Sequence, residues 1–365
     1  RQYFQALRSE ILLYKKAGFE FEGVYVGGGT PTIMIDELEK TLHLTCEEFP
    51  IKEISVETNP NHLNEKNIKV LLDCKVKRLS VGIQSFDDEI LKQIKRYDHD
   101  KNEGGEAIVK KMKWVNELFH TVNADMIFNF PTQTIEKLNN DLNMLLSIGL
   151  SQVTYYPLMV SDFTKKQMVA SIGTVDYKRE KKYYQLITSK LQEHYNFSSA
   201  WCFTKKETLT ASASALANDK VISCDEYIVN NDEYAGLGSG SIGYIGGICY
   251  ANTFNIKDYI ESLNNGKLPL MASKKFLLHE RIRYDFMMKL FGMSLNINEL
   301  NKKYGVSVWR YLWFGIFSFI LTGGVKYKHG LLHLAKSGRY FWVVLMRKFF
   351  IEINNFRDFC REHGV

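Results

Sequence analysis

The chain has 365 residues, enough to bury a large core, and its 45% hydrophobic and 24% charged residues are typical of a folded protein. Its net charge of +6 comes from 47 basic and 41 acidic residues that we take to be interspersed, so we expect no nucleic-acid partner. The longest apolar run, residues 311–321, is too short for a bilayer span, so we expect no membrane partner.

Six cysteines stand far apart, at positions 46, 74, 202, 224, 249 and 360, without a Cys-x-x-Cys pair. Their spacing predicts no zinc or iron–sulfur ligand set within the chain. Scattered cysteines without a secretion signal favour a reducing cytoplasm, where we expect the protein to be located. Because the chain opens with Arg1 and not with methionine, we also expect a further segment upstream.

Strand-like and helix-like patterns alternate through the first part of the chain. Short β-branched or aromatic runs cover residues 24–29, 53–58, 78–85, 123–130 and 153–158. Amphipathic stretches cover residues 36–48, 65–72, 88–95, 105–118 and 134–146. This repeated order predicts an α/β fold with a parallel sheet, either open or rolled into a barrel. Strands buried on both faces should be apolar until their carboxyl ends.

The alternation fades after Pro157. Residues 164–195 are typical of one or two charged helices, 198–204 and 225–229 of strands, and a glycine-rich stretch covers 236–243. We predict a first domain at residues 1–265 and a second at 266–365. In the second, helical patterns at 274–291, 297–304 and 308–321 precede a hairpin at 325–327 and 332–334. That order resembles a winged-helix module, which leaves a DNA-binding regulator open as a function.

Chemically distinctive residues end the predicted strands. The first strand ends in Gly27-Gly28-Gly29-Thr30, the second near Glu57, the third at Gln84 and the fourth near Asp125. The carboxyl ends of parallel strands meet at one edge and commonly build a site there. No Gly-Lys-Ser/Thr follows the glycines at the required distance, which excludes a phosphate loop. Pro31 and Thr32 replace the glycine spacing and helix start that a dinucleotide fingerprint needs.

Each of these residues also has a structural interpretation. Glu57 suits a ribose hydroxyl or an amino group, but a cap or a salt bridge fits equally. The Gln84 amide is expected inside, where a ligand or the protein itself can satisfy it. Asp125 stands among apolar neighbours and therefore needs a ligand or a partner, for which Arg96 is one candidate.

Together these motifs resemble the radical S-adenosylmethionine (SAM) superfamily, and within it the oxygen-independent coproporphyrinogen III oxidase group. The resemblance rests on GGGTPT at 27–32, ISVETNP at 54–60, RLSVGIQSF at 78–86 and DMI at 125–127. It implies a partial TIM-type (β/α) barrel, which we expect to precede the mostly helical, winged-helix-like domain. It also implies SAM contacts at Gly27, Gly28, Gly29, Thr30, Glu57, Gln84, Arg96, Asp125, Met159 and Ile242.

The same resemblance implies a [4Fe–4S] cluster that cleaves SAM to a 5′-deoxyadenosyl radical, with an electron donor such as flavodoxin or ferredoxin. In this family the cluster cysteines precede the glycine motif at Cys-x-x-x-Cys-x-x-Cys spacing, and this chain has none there. We expect them upstream of Arg1, with no metal ligand in the chain itself. A degenerate paralogue without a cluster is the alternative.

Four segments, at 155–159, 200–203, 225–229 and 354–358, look more like the anaerobic haem-degrading branch than the biosynthetic oxidase. The usual Gly-Leu-Pro after the fourth strand is Asn129-Phe130-Pro131 here. We therefore expect an oxidoreductase or methyltransferase that opens haem by radical methyl transfer. Oxidative decarboxylation of coproporphyrinogen III and non-catalytic haem binding or transfer are the alternatives. Cys202 is either a substrate-side thiol or a buried structural cysteine.

Overall fold

The structure, a computed structural model, describes residues 1–206 and 231–364. The strand predicted at 225–229 lies outside the described residues. The chain divides into two compact units. The first comprises Arg1, Tyr14–Phe197 and the described part of Trp201–Asp225, and the second comprises Gln2–Leu13, Ser198–Ala200 and the described part of Glu226–Val365.

A seven-stranded sheet with the order β1-β2-β3-β4-β5-β7-β6 forms the centre of the first unit. Its first five strands are parallel: β1 (Gly23–Val26), β2 (Glu53–Thr58), β3 (Arg78–Gln84), β4 (Thr121–Phe128) and β5 (Gln152–Pro157). Strand β7 (Cys202–Lys205) is antiparallel to β5, and β6 (Tyr195–Phe197) is antiparallel to β7. Because β1 and β6 remain separate edges, the barrel is partial and open, as the fold class predicted.

Helices connect the parallel strands, as the alternation predicted. After α1 (Gln2–Lys16) come α2 (Ile35–Glu48), α3 (Glu65–Asp73), α4 (Asp88–Gln93), α5 (Gly105–Asn116), α6 (Ile135–Ile148), α7 (Asp162–Ile172) and α8 (Tyr177–Leu191). Side-chain caps define several starts: Asn64, Asp87 and Thr134 each accept a hydrogen bond from a backbone N–H in the first turn. The charged stretch after β5 forms two helices.

The two faces of the parallel strands differ in polarity. On β3, the alternate side chains Leu79, Val81 and Ile83 are fully buried and apolar, whereas Arg78 and Ser80 on the other face are fully buried and polar. The expectation that these strands are apolar on both faces is therefore wrong. Parallel register places equivalent polar positions side by side, so each polar group finds a partner on the neighbouring strand.

The second unit contains a three-stranded antiparallel sheet with the order β10-β9-β8. Its strands are β8 (Ile242–Ile245), β9 (Ile248–Asn252) and β10 (Leu270–Lys275), and α9 (Ile256–Asn264) connects the last two. The helix predicted from residue 274 is wrong at its start, since Lys274 and Lys275 belong to β10. That helix begins at Leu278, because the Glu280 carboxylate accepts a hydrogen bond from the Leu277 N–H.

The rest of the second unit holds α10 (Leu278–Phe291), β11 (Ser294–Asn296), α11 (Ile297–Tyr304), α12 (Trp309–Leu321), β12 (Val325–Lys328), β13 (Leu331–Leu334) and α13 (Lys336–His363). The predicted hairpin is present as β12 and β13, and β11 completes the sheet order β11-β13-β12. The boundary predicted after residue 265 falls between α9 and β10 and stays a prediction. None of the described helices is long and apolar enough to cross a bilayer.

Candidate functional site

The glycine run after β1 borders open space. Strand β1 ends at Val26, and a Cβ at Gly27 would lie 2.9 Å from Glu57 Oε1. A Cβ at Gly28 or Gly29 would meet nothing within 4 Å, and Gly28 has a φ of 98°. Because only glycine adopts this backbone freely, the run exposes its peptide groups to whatever occupies that space.

Two side-chain contacts fasten this run to the neighbouring strand. The Asn59 amide donates a hydrogen bond to Thr30 Oγ1 at 3.0 Å, and the Thr32 and Thr58 hydroxyls lie 2.7 Å apart. Both contacts join the loop after β1 to the end of β2. These contacts hold the glycine run in a defined position beside β2.

Glu57 lies on β2 beside this edge. Its predecessor Val56 pairs with Val26, so Glu57 reaches the level of Gly27. The Tyr25 hydroxyl donates a 2.6 Å hydrogen bond to Glu57 Oε1. Such a charge-assisted hydrogen bond orients the carboxylate, which suits a group that must receive a hydroxyl or amino donor from a ligand.

Gln84 ends β3 in a left-handed conformation, with a φ of 73°. Pairing with β4 shifts register between Gly82 and Gln84, and a Cβ at Gly82 would lie 3.0 Å from Gln84 Nε2. A non-glycine residue with this φ costs about 1–3 kcal/mol and persists where the surroundings enforce it, often at functional sites. The bulge thus turns the Gln84 side chain at the carboxyl end of the strand.

Asp141 supports the loop that follows Gln84. Its carboxylate accepts hydrogen bonds from the Ser85 hydroxyl at 2.9 Å and the Phe86 N–H at 2.8 Å. The carboxyl group is almost fully buried, and burial raises its pKa to about 6 despite these hydrogen bonds. Asp141 on α6 therefore holds the loop after β3 in place through hydrogen bonds. The sequence did not indicate this role.

Asp125 belongs to a hydrogen-bond network on the polar face of the sheet. Its carboxylate accepts from the Ser80 hydroxyl at 2.8 Å and from the Asn123 amide at 2.8 Å. Asn123 in turn accepts from the Thr154 hydroxyl at 3.1 Å. The predicted need for a partner is met by Ser80 on β3 and by Asn123 on β4 itself, and the carboxylate lies three residues before β4 ends.

A second part of this polar face surrounds Arg78. The fully buried guanidinium donates from Nε to Gln152 Oε1 at 2.9 Å and from an Nη atom to Ser55 Oγ at 3.0 Å. Sequence reasoning missed this network. The sequence does contain a pattern that predicts it. Polar residues recur at every second position in RLSVGIQ of β3 and TVNADMIF of β4, which indicates one polar face of the sheet.

Arg96 is not the partner of Asp125. Among the side chains that the structure describes, its half-buried guanidinium has no hydrogen-bond or ion-pair partner. Burial lowers the pKa of Arg96. His62, in the turn that follows β2, also has a lowered pKa, first because it is buried and second because the positive charge of Arg96 is near. Arg96 therefore places a half-buried cation near the end of β2, which suits an anionic ligand group.

Three further predicted site residues occupy different places. Met159 follows β5 and is half-buried, whereas Ile242 begins β8 in the second unit. Cys202 is fully buried on β7, where it pairs with Thr154 and so shares its face of the sheet. Their proposed roles stay predictions, as do those of the residues at the ends of β1 to β4.

The amino-acid sequence is similar to that of known proteins. The profile described as "Radical SAM superfamily" matches residues 4–145. The chain is 26% identical over 360 residues to heme chaperone HemW of Bacillus subtilis, covering 93% of this chain and 86% of that protein. It is 23% identical over 341 residues to oxygen-independent coproporphyrinogen III oxidase of Helicobacter pylori, covering 84% and 68%. Residues 4–145 match the radical SAM superfamily, and the chain as a whole is similar to proteins of its coproporphyrinogen III oxidase-like group.

Two further similarities bear on this radical SAM protein. It is 26% identical over 275 residues to anaerobilin synthase of Escherichia coli O157:H7, covering 73% of this chain and 58% of that protein. The solved structure of Escherichia coli coproporphyrinogen III oxidase superposes with a TM-score of 0.76 at 19% identity, covering 95% of this chain and 82% of that one. The structural likeness confirms the partial barrel and the predicted fold.

The superfamily uses SAM and a [4Fe–4S] cluster. The described residues fit SAM: an open glycine edge, oriented carboxylates and the half-buried guanidinium of Arg96 suit its hydroxyls, amino group and carboxylate. They do not fit the cluster, since residues 1–206 and 231–364 contain no group of three Cys, His, Asp or Glu able to hold a metal. The cluster ligands are thus not among the described residues.

Proposed function

We propose that this protein binds haem and transfers it to acceptor proteins, with SAM held at the carboxyl edge of the partial barrel. The observation that carries the proposal is the likeness to heme chaperone HemW, which extends over 93% of this chain and 86% of the relative. The likenesses to coproporphyrinogen III oxidase and to anaerobilin synthase cover less of this chain, 84% and 73%. The haem-transfer alternative therefore has more support than the haem-degrading reading that the sequence favoured.

The residues at the strand ends have distinct proposed roles toward SAM. The backbone of Gly27 to Thr30 borders the ligand, since no side chain fills the space beside Gly28 and Gly29. Glu57, oriented by the Tyr25 hydroxyl, accepts donors from the ligand. Arg96 offers a cation to the SAM carboxylate, because a half-buried guanidinium gains most from an anionic partner.

Gln84 and Asp125 complete the proposed set. The left-handed backbone at Gln84 sets the direction in which its side chain leaves the strand, and hydrogen bonds from Ser80 and Asn123 hold the Asp125 carboxylate before any ligand arrives. Prior fixation reduces the entropy lost when a ligand binds. In this superfamily SAM and the cluster together supply a 5′-deoxyadenosyl radical.

The second candidate is a radical enzyme that modifies a tetrapyrrole, either haem or coproporphyrinogen III. It is favoured by the 26% identity with anaerobilin synthase and the 23% identity with coproporphyrinogen III oxidase. An electron donor such as flavodoxin or ferredoxin is then a further partner. Both candidates place the protein in the cytoplasm, where the scattered cysteines remain reduced.

One experiment separates the two candidates. The full-length protein is prepared anaerobically with iron and sulfide, loaded with haem, and mixed with SAM, a reductant and an apo-haemoprotein acceptor. Transfer predicts that intact haem appears on the acceptor in proportion to the haem lost from the protein. Catalysis predicts that a modified tetrapyrrole forms together with 5′-deoxyadenosine. If haem neither binds nor changes, and coproporphyrinogen III also stays unchanged, both proposals are wrong.

A further inference from the structure

Helix α12 presents an unusually apolar surface to solvent. Trp313 is 60% exposed, Phe314 and Leu321 are each 70% exposed, and Phe317 and Ile320 are also exposed. With 100° between successive residues, these five side chains fall on one side of the helix, while Leu312 and Ile316 face the core. We name this set the aromatic face of α12. Contiguous apolar side chains exposed on a protein surface commonly mark interaction sites.

The charge around this face is strongly one-sided. Between Glu299 and Glu352 the sequence contains no Asp or Glu, and it contains nine basic residues: Lys302, Lys303, Arg310, Lys326, Lys328, Lys336, Arg339, Arg347 and Lys348. The expectation of interspersed charge is wrong for this segment. Lys303 forms ion pairs with Asp232 and Asp285, and the exposed members of this cluster suit a negative partner.

Several of these basic residues border the aromatic face. Arg310 is exposed on the same side of α12, one turn before Trp313 and Phe314. Trp309 contacts the Tyr327 ring with centroids 5.6 Å apart, which places Lys326 and Lys328 next to the start of the helix. All three basic side chains are exposed, and none forms an ion pair within the part of the chain that the structure describes.

Basic and apolar side chains also lie beside the carboxyl end of α12. The Ser337 hydroxyl donates a 2.5 Å hydrogen bond to the Gly323 carbonyl, so exposed Lys336 lies near the end of α12. Phe319 contacts Phe341 with ring centroids 5.1 Å apart, and Phe341 is itself half exposed. Apolar and basic side chains thus continue from α12 onto the start of α13.

We propose that the aromatic face of α12 and the basic side chains around it dock this protein on an anionic membrane surface. A helix of 13 residues is about 20 Å long, so it lies along a bilayer interface and does not cross it. Trp and Phe enter the boundary between headgroups and acyl chains, while Lys and Arg contact the anionic headgroups. This proposal replaces the expectation of no membrane partner and is independent of haem transfer.

Other occupants fit the same surface less well. A second copy related by a twofold axis would set the same basic cluster against itself, which is repulsive. Nucleic acid suits the charge but gives no reason for five exposed apolar side chains on one face. Haem is usually enclosed in a concave pocket, whereas this face is the convex side of a helix. An anionic bilayer satisfies both the apolar and the charged part.

Vesicle binding of the full-length protein tests the proposal. Vesicles of phosphatidylcholine are compared with vesicles that also contain phosphatidylglycerol, by sedimentation at about 0.1 M and about 1 M salt, where the Debye length falls from about 10 Å to about 3 Å. We expect binding to the anionic vesicles that weakens with salt. Trp313 emission should shift to the blue and be quenched by brominated lipid, and W313F should remove that signal while retaining binding.

Two sets of variants separate the contributions. F314S, F317S and L321S together should lower binding more than about tenfold, because the apolar contact is lost. K326E, K328E and K336E should each lower binding to anionic vesicles by at least about fivefold. The controls F163S and K110E change exposed residues of α7 and α5 in the first unit and should leave binding unchanged. All changed side chains are exposed, so thermal unfolding should match the parent.

Three results would overturn the proposal. One is absence of vesicle binding at low salt, and another is equal binding by the parent and the F314S, F317S and L321S variant. The third is loss of self-association or of DNA binding in that variant, without any vesicle binding by the parent, because it would assign the face to a second copy or to nucleic acid.

Discussion

The Arg179 guanidinium donates from Nε to the side-chain oxygen of Asn129 at 3.0 Å, while Asn129 holds a left-handed backbone with a φ of 73°. Its other nitrogens donate to the carbonyls of Phe130, Pro131 and Gln133. The turn after β4 is therefore clamped from α8. Asn129 stands where the family resemblance expects glycine, which needs no such support.

Substitutions at Asn129 and Arg179 test this clamp. N129A should be less stable than N129G by about 1–2 kcal/mol, because alanine is strained at a positive φ and glycine is not. R179A should cost about 1–3 kcal/mol, since it leaves carbonyls and the Asn129 oxygen without a donor. Urea unfolding of the variants measures these differences. Equal stability of N129A and N129G would contradict the account.

A methyl group at Gly27 should disturb the Glu57 carboxylate. In G27A the new Cβ would lie 2.9 Å from Glu57 Oε1 and 3.0 Å from Tyr25 Cε1, so one of these side chains must move. We expect SAM affinity to fall by roughly tenfold or more, consistent with loss of a hydrogen bond to a charged group. Y25F removes only the hydroxyl that orients Glu57 and should have a smaller effect. Unchanged SAM affinity in G27A would remove Glu57 from the site.

Asp141 should make stability fall as the pH rises. Burial raises its pKa from 3.8 to about 6, so the folded chain holds this proton more tightly than the unfolded chain does. Its contribution is therefore complete below about pH 4 and is lost as the pH rises through about 6, a change of about 3 kcal/mol. D141N removes this titration while its amide still accepts from Phe86.

Urea unfolding of D141N and the parent at several pH values checks this sign. The free energy of unfolding of D141N relative to the parent should increase by about 3 kcal/mol between about pH 4 and pH 7. D162N provides the matched control, because Asp162 is exposed at the start of α7. A constant difference for D141N over this range would mean that the carboxyl group does not titrate as proposed.

The buried Arg78 should be costly to remove. R78M leaves Gln152 Oε1 and Ser55 Oγ without their donor inside the sheet, which should destabilise the protein by about 3–5 kcal/mol. The exposed K77M, one residue earlier, should change stability by less than about 0.5 kcal/mol. Chemical unfolding monitored by circular dichroism measures both. A small effect of R78M would show that the polar face tolerates an apolar replacement.

The alternation of strands and helices could be predicted because it is a local pattern. Each parallel strand and connecting helix lies within a few residues of its predicted position, and Gln84 and Glu57 stand at strand ends as expected. The partners of Asp125 could not be predicted, since Ser80 lies on another strand and only the register brings the two together. The contact between Ser80 and Asp125 joins residues that are far apart in the sequence, so no local pattern indicates it.

The second unit shows which local signals were overlooked. Gly246 and Gly247 separate two short apolar runs and have positive φ values of 60° and 76°, the signature of a tight hairpin between β8 and β9. That signal was present in the sequence. The length of α13 and the three-residue strand β11 had no comparable signal, because packing against neighbouring elements decides them.

The affinity for SAM is the most direct test of the central claim, on which both proposed functions depend. SAM is titrated calorimetrically into the full-length protein prepared anaerobically with iron and sulfide, and into E57Q, D125N and the control E47Q on the exposed part of α2. We expect the parent and E47Q to bind SAM alike, and E57Q and D125N to bind at least about tenfold more weakly. Equal binding by all four proteins, or none by the parent, would contradict a SAM site at the carboxyl ends of β1 to β4.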